Sequence, residues 1–199
     1  MTVRTGAWIL GAGLLTGALS GIQSLDEQVR DSVQARRQAG MDRVMQGISD
    51  AARQPTVLSL LLGAAVFGGP GGLQVARSAV LALIPTNLAV EGLKRTVNRT
   101  RPDGEHERSN ASFPSSHAAN AAALAWILAK RWPRASALFW IAAAAVAWSR
   151  IYLNRHFLSD VLVGVIIGVA SSWVMSRWAE AQAARTAMSG GNRDGSRRV

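Results

Sequence analysis

The stretch Ser149-Arg150-Ile151-Tyr152-Leu153-Asn154-Arg155-His156-Phe157-Leu158-Ser159-Asp160 decides how this chain is read. The apolar run Ala135 to Trp148 leads into it, and a second, Val161 to Trp178, leaves it. Between two segments of membrane-crossing character sits a knot of serine, arginine, histidine and aspartate. His156 and Asp160 are four apart, so on a helix they share a face. A carboxylate in reach of one imidazole nitrogen fixes the tautomer and leaves the other nitrogen as nucleophile or base. Arg150 supplies a permanent cation suited to a phosphate oxygen. The same residue types also anchor spans at a membrane surface, so the reading turns on what lies upstream.

Two more clusters lie there. Lys94 is followed, after six residues, by Arg101-Pro102, and then comes Phe113-Pro114-Ser115-Ser116-His117. Cleaving a phosphate ester requires positive charge on the equatorial oxygens, an in-line nucleophile and an acid for the leaving oxygen. Lys94, Arg101 and Arg150 are the candidate phosphate-binding cations. Pro114-Ser115-Ser116 reads as a helix start, where hydroxyls cap and backbone N–H groups face an anion, so Ser115 and Ser116 join them. His156, Asp160 and His117 are the candidate catalytic residues: nucleophile, orienting carboxylate and general acid.

The three clusters together resemble the type 2 phosphatidic acid phosphatase (PAP2) family. Its pattern is K-x6-RP, then PSGH, then SR-x5-H-x3-D. The first and third fit here at Lys94, Arg101-Pro102, Ser149-Arg150, His156 and Asp160. The second departs at Ser116, where the family has Gly; the expectation is a retained site with altered phosphate contacts. The resemblance covers residues 94 to 160. It implies a phosphohistidine intermediate, no cofactor and no metal. The sequence contains no Cys and no Asp/Glu cluster of the kind that clamps Mg²⁺.

The 199 residues suit one all-α domain: a polytopic bundle of about six transmembrane helices over residues 1–179, with a flexible basic tail at 180–199. The net charge of +10 raises the possibility of nucleic acid. The arginines stand instead at the ends of apolar runs, where anionic headgroups meet them; the expected partner is the bilayer, not nucleic acid. Ala7 to Ile22 reads as a first span, or as a signal peptide with Ala18-Leu19-Ser20 at its end. Leu25 to Gln54 is an amphipathic interfacial segment, interrupted at Gly40, that either shapes lipid access or simply packs on the bundle. Thr56 to Phe67 is a short second span, closed by a Gly68-Gly69-Pro70-Gly71-Gly72 turn. Val75 to Leu93 is a third, kinked by Pro85. In it, Asn87 and Glu91 bond between helices, or Glu91 pairs with Lys94 or Arg95. Arg95 to Ser112 is a polar loop in which Arg99, His106 and Arg108 meet headgroups or solvent. Ala118 to Ala129, Ala135 to Trp148 and Val161 to Trp178 complete the spans.

This order puts the first two clusters between spans three and four, and the third between five and six. Two crossings separate them, so all three share one membrane face. The Lys130–Arg134 turn is basic without acids, a cytoplasmic sign. The expectation is a bacterial inner-membrane protein with its site facing the periplasm. Its substrate would be a lipid phosphate or pyrophosphate: phosphatidic acid, phosphatidylglycerol phosphate or a polyprenyl pyrophosphate. The alternatives are a lipid phosphotransferase, a vanadate-dependent haloperoxidase and a non-catalytic lipid-binding protein. Gly164 and Gly168 offer a small-xxx-small face for packing within the chain or between chains, and leave the oligomeric state open.

Overall fold

The computed structural model of the chain describes residues 20–105 and 110–195, and side chains as far as 186. The bulk of the expected first span, Ala7 to Ile22, and His106 and Arg108 lie outside the described residues. Within them the fold is all-helical. Helix α1 occupies 20–34. It is followed by α2 (Ala39–Ala51), α3 (Gln54–Phe67), α4 (Gly69–Val97), α5 (Ser116–Arg131), α6 (Ser136–Tyr152) and α7 (Leu158–Gly195).

Helix α5 is the axis, and α4, α6 and α7 pack around it. Its sequence explains why. Ala118, Ala119, Ala122, Ala123 and Ala125 are all buried, so neighbouring backbones can approach closely. The closest approach is to α7. A Cβ on Gly164 would lie 2.5 Å from the Ser115 carbonyl oxygen, and one on Gly168 would fall onto the carbonyl of Ala119. One turn further along, the Ser172 hydroxyl donates to the Ala123 carbonyl at 3.2 Å. Ser115, Ala119 and Ala123 thus face Gly164, Gly168 and Ser172 in a seam of small residues four apart. The glycine pair therefore packs helices within the chain.

Among the described residues, three helices are long and apolar enough to cross a membrane: Gly69–Val97, Pro133–Tyr152 and Leu158–Thr186; Gln54–Phe67 is apolar but shorter. Leu60, Leu62, Val66, Ile84, Leu88, Leu138, Ile141 and Ile166 point outward from these four, as lipid-facing side chains do. Asn87 and Asn120 exchange hydrogen bonds of 3.1 and 3.3 Å between α4 and α5, the interhelical role expected of Asn87. Glu91 instead pairs with Lys94 in its own helix, at 3.6 Å.

Several boundaries differ from the sequence expectation. The break in the amphipathic segment falls at 35–38, before Gly40, which lies in the first turn of α2. The glycine-rich turn is shorter than its composition implies. Gly68 alone separates α3 from α4, because Pro70 suits a first helical turn, where its missing N–H would have no partner. Helix α4 runs through Arg95 to Val97 and stops at Asn98, which adopts the left-handed conformation (φ 44°). The expected boundary at Glu180 is not a helix end, since α7 continues to Gly195.

Candidate active site

All three sequence clusters meet at one end of the α4–α7 bundle, as the crossing parity requires. Lys94 lies in the last turn of α4. Arg101 is in the following loop, His117 in the first turn of α5, and Arg150 in the last turn of α6. Asp160 lies in the first turn of α7.

The spacing between Arg150 and His156 has a mechanical origin. Helix α6 ends at Tyr152 with Leu153 as its C-cap, and Asn154 reverses the chain in the left-handed region (φ 59°). The N–H groups of Arg155 and His156 then both donate to the Arg150 carbonyl, at 3.0 and 3.2 Å. His156 is thereby folded back under Arg150 and buried, with 3% of its surface exposed.

His156 is not helical, so the four-residue spacing to Asp160 does not act as it would along a helix. Its Nδ1 lies 2.7 Å from the Ser112 carbonyl oxygen and 3.9 Å from Asp160 Oδ2. A carbonyl only accepts, so Nδ1 carries the proton and Nε2 keeps its lone pair. The expected direct His156–Asp160 hydrogen bond is replaced by a bond to backbone. Asp160 Oδ2 is occupied elsewhere: it accepts the Phe157 N–H at 2.9 Å and the Ser112 hydroxyl at 2.5 Å. The first contact caps α7 from its third residue, one half of a capping box. The second fixes the residue whose carbonyl holds the imidazole. Burial pushes the His156 imidazole down to about 4, against a weaker upward pull from Asp160. The ring is therefore neutral at pH 7.

At the start of α5, the Ser115 hydroxyl accepts the Ala118 N–H at 3.5 Å, and the Ser115 N–H donates to the Asp160 carbonyl at 3.0 Å. Those contacts leave the N–H groups of Ser116 and His117 as the open donors of the first turn. A Ser at 116 keeps that donor, where the family pattern has Gly. His117 is half-buried, with His156 and the cations Arg150 and Lys94 among its neighbours.

Lys94, Arg101 and Arg150 are each buried. Arg101 donates from Nε to the Asn110 carbonyl at 2.8 Å and from Nη2 to its side-chain oxygen. Its guanidinium is held below its ordinary range by burial. Arg150 Nη1 donates to the Ser49 hydroxyl on α2, while its buried Nε has no partner among the described residues. A buried guanidinium donor among cations suits an anion oxygen.

Sequence reasoning missed the groups that brace this constellation. Arg99 does not meet headgroups or solvent alone. It donates to Asp160 Oδ1 at 2.7 Å and to Asp26 Oδ2 at 2.8 Å. Asp26, on α1, is 2% exposed. Ser112 and Ser49 were likewise unmarked. Gln34 donates to the Tyr152 carbonyl at 3.1 Å, and the Tyr152 hydroxyl bonds both backbone groups of Gln38. The α1–α2 hairpin thus caps the site end of α6. Beside it, α1, α2 and α6 enclose an apolar groove of about 610 Å³ that includes Val29, Val33, Met41, Met45 and Trp148.

Comparison with known proteins places the chain in a family. The model of the PAP2 superfamily matches residues 75–184. Phosphatidylglycerophosphatase B of Bacillus subtilis (strain 168) is 32% identical over 180 residues, covering 81% of this chain and 85% of that protein. Among solved structures, the first transmembrane PAP2 type phosphatidylglycerolphosphate phosphatase from Bacillus subtilis superposes with a TM-score of 0.67. Identity is 28%, over 88% of this chain and 95% of that one. LpxE of Aquifex aeolicus shares the fold, with a TM-score of 0.66 at 23% identity over 75% of this chain and 93% of that one.

Proposed function

The chain belongs to the PAP2 superfamily and is a membrane lipid phosphatase of that type, and from this premise we propose that it hydrolyses a lipid phosphomonoester through a phosphohistidine at His156. The observation that carries the reading is the neutral His156, folded back onto the Arg150 carbonyl, with Nδ1 held on the Ser112 carbonyl so that Nε2 keeps its lone pair.

In the first step Nε2 attacks phosphorus. The bond to the lipid oxygen breaks, and that oxygen takes a proton from His117, whose imidazole burial pushes down to about 3 in the free protein and which the phosphate dianion bound beside it brings back to its protonated form. Lys94, Arg101, Arg150 and the N–H groups of Ser116 and His117 hold the equatorial oxygens, where charge gathers in the transition state. In the second step water, losing its proton to His117, attacks the phosphohistidine and releases inorganic phosphate. The fixed cations neutralise the phosphoryl group, and the mechanism calls on no metal.

Phosphatidylglycerol phosphate is the favoured substrate, in line with the names of the two Bacillus relatives. Phosphatidic acid presents the same phosphomonoester, and a polyprenyl pyrophosphate presents a terminal phosphate whose leaving group is the lipid monophosphate. A site at the ends of α4–α7 leaves the acyl chains in lipid while the phosphate reaches Arg150. We place this site on the periplasmic face of a bacterial inner membrane, on the basic Lys130–Arg134 turn at the opposite end of α5.

The test is phosphate release from these three lipids by the detergent-purified protein, with EDTA present. The reading predicts release, fastest from phosphatidylglycerol phosphate and undiminished by the chelator. Inhibition reversed by one added metal would overturn the metal-free mechanism. Release of no phosphate from any of the three, with transfer to an added alcohol instead, would make the protein a phosphotransferase.

A further inference from the structure

Arg99 is held more completely than a loop arginine needs to be. Nη1 donates to Asp160 Oδ1 at 2.7 Å and to the Ser159 hydroxyl at 2.8 Å, and Nη2 donates to Asp26 Oδ2 at 2.8 Å. The Phe157 ring covers its face, 4.1 Å from Cζ. Asp26 in turn accepts the Ser159 N–H at 2.8 Å and the Ser159 hydroxyl at 2.5 Å. Two carboxylates with essentially no exposure, one on α1 and one on α7, share a single guanidinium.

We propose that Arg99, anchored by Asp26, is a positioning residue for the reaction: it aims the Asp160 carboxylate, which holds Ser112, whose carbonyl orients His156. The proposal rests on His156 being the nucleophile. Each link is a hydrogen bond already described, and each donor and acceptor is used consistently. With Arg99 on Oδ1, the other oxygen of Asp160 is left for Ser112 and Phe157. Without Arg99, two buried carboxylates would face each other. Their repulsion, with Oδ1 released from Arg99, turns the Asp160 carboxylate and loosens its hold on Ser112 and Phe157. The imidazole would then lose its fixed aim.

Arginine is required for geometric reasons. Its planar fork spans Asp26 and Asp160 at once, whereas a lysine ammonium carries the charge without the fork. Stability alone would not call for this arrangement, since buried ion pairs are commonly no better than apolar replacements. A purely structural brace and a positioning device therefore make different predictions.

The experiment measures kcat and KM for phosphate release by the full chain, using the lipid the wild type cleaves best. Arg99→Gln is expected to lower kcat about 100-fold, the scale of a small misplacement of a reacting group, with KM held within about threefold. Arg99→Lys recovers part of the loss. Asp26→Asn lowers kcat by about tenfold, and its combination with Arg99→Gln is no worse than Arg99→Gln alone, because both act through one chain of contacts. Where Arg99→Gln does not fold, Arg99→Lys and Asp26→Asn carry the test with the same split. Wild-type kcat in variants of lowered Tm would make the network a structural brace and overturn the proposal. A rise in KM alone would overturn it too, by making Arg99 a substrate ligand. His156→Ala is run beside them: turnover surviving there would sink the nucleophile assignment itself. Loss there with wild-type kcat in Arg99→Gln would sink only the positioning role.

Discussion

Helices α5 and α7 are joined twice, in two different ways. Along their length the joint is a seam of small residues, with Gly164, Gly168 and Ser172 against Ser115, Ala119 and Ala123. At its end the joint is polar, with Asp160, Arg99, Ser112, Ser159 and Asp26 bonded around the start of α7. The seam works by the absence of atoms, and the polar end by their alignment. Ser115 belongs to both: its carbonyl faces Gly164 and its N–H meets the Asp160 carbonyl. The difference is instructive. A seam that brings backbones into contact sets where the polar end can form, but only the polar end sets what His156 can do.

The largest way to break this division is to fill the seam. Gly168→Val places side-chain atoms onto the Ala119 carbonyl, a backbone group that cannot yield. The expected cost is about 3 kcal/mol, the upper end for overpacking. Activity should vanish together with the folded helical signal, read by circular dichroism in detergent. A folded Gly168→Val protein with normal turnover would show that the seam does not set the spacing. A smaller and sharper test addresses the polar end alone. The chain has three histidines, so NMR of ¹⁵N-labelled imidazoles, assigned by single substitutions, can follow His156 directly. Burial lowers the imidazole to about 4. Protonation then occurs only as pH falls well below the ordinary imidazole value of about 6.5. At pH 6 the signal should be that of the neutral Nδ1–H tautomer. A charged ring at pH 6 would mean that the Ser112 carbonyl and burial do not govern it.

The same contrast explains what was legible in the chain. Lys94 and Arg101, and Arg150, His156 and Asp160, announce themselves by spacing, because within each cluster the residues lie close in sequence at a helix end. The small-xxx-small face at Gly164 and Gly168 was equally visible, since interhelical packing of that kind depends on two adjacent turns. Arg99 and Asp26 were not, because their partners lie 61 and 133 residues away. One signal was present. Asp26 is in phase with Val29 and Val33, which pack on the Ala118–Ala147–Ile151–Val161 core. An acid on the apolar face of a helix needs a buried partner. Ser49 gave the same kind of hint, four residues after Met45. The direct His156–Asp160 bond was misjudged for a local reason: α7 begins at Leu158, so His156 precedes the helix that would have aligned the pair.

The central claim is that His156 carries the phosphoryl group. It is tested most directly by rapid quenching of the protein with a ³²P-labelled lipid phosphate in detergent, followed by peptide mapping of acid-labile, base-stable label. The account predicts label on the peptide containing His156 in the wild type, appearing within the first turnover, and none in His156→Ala. Label on a different residue, or steady phosphate release by His156→Ala, would contradict it.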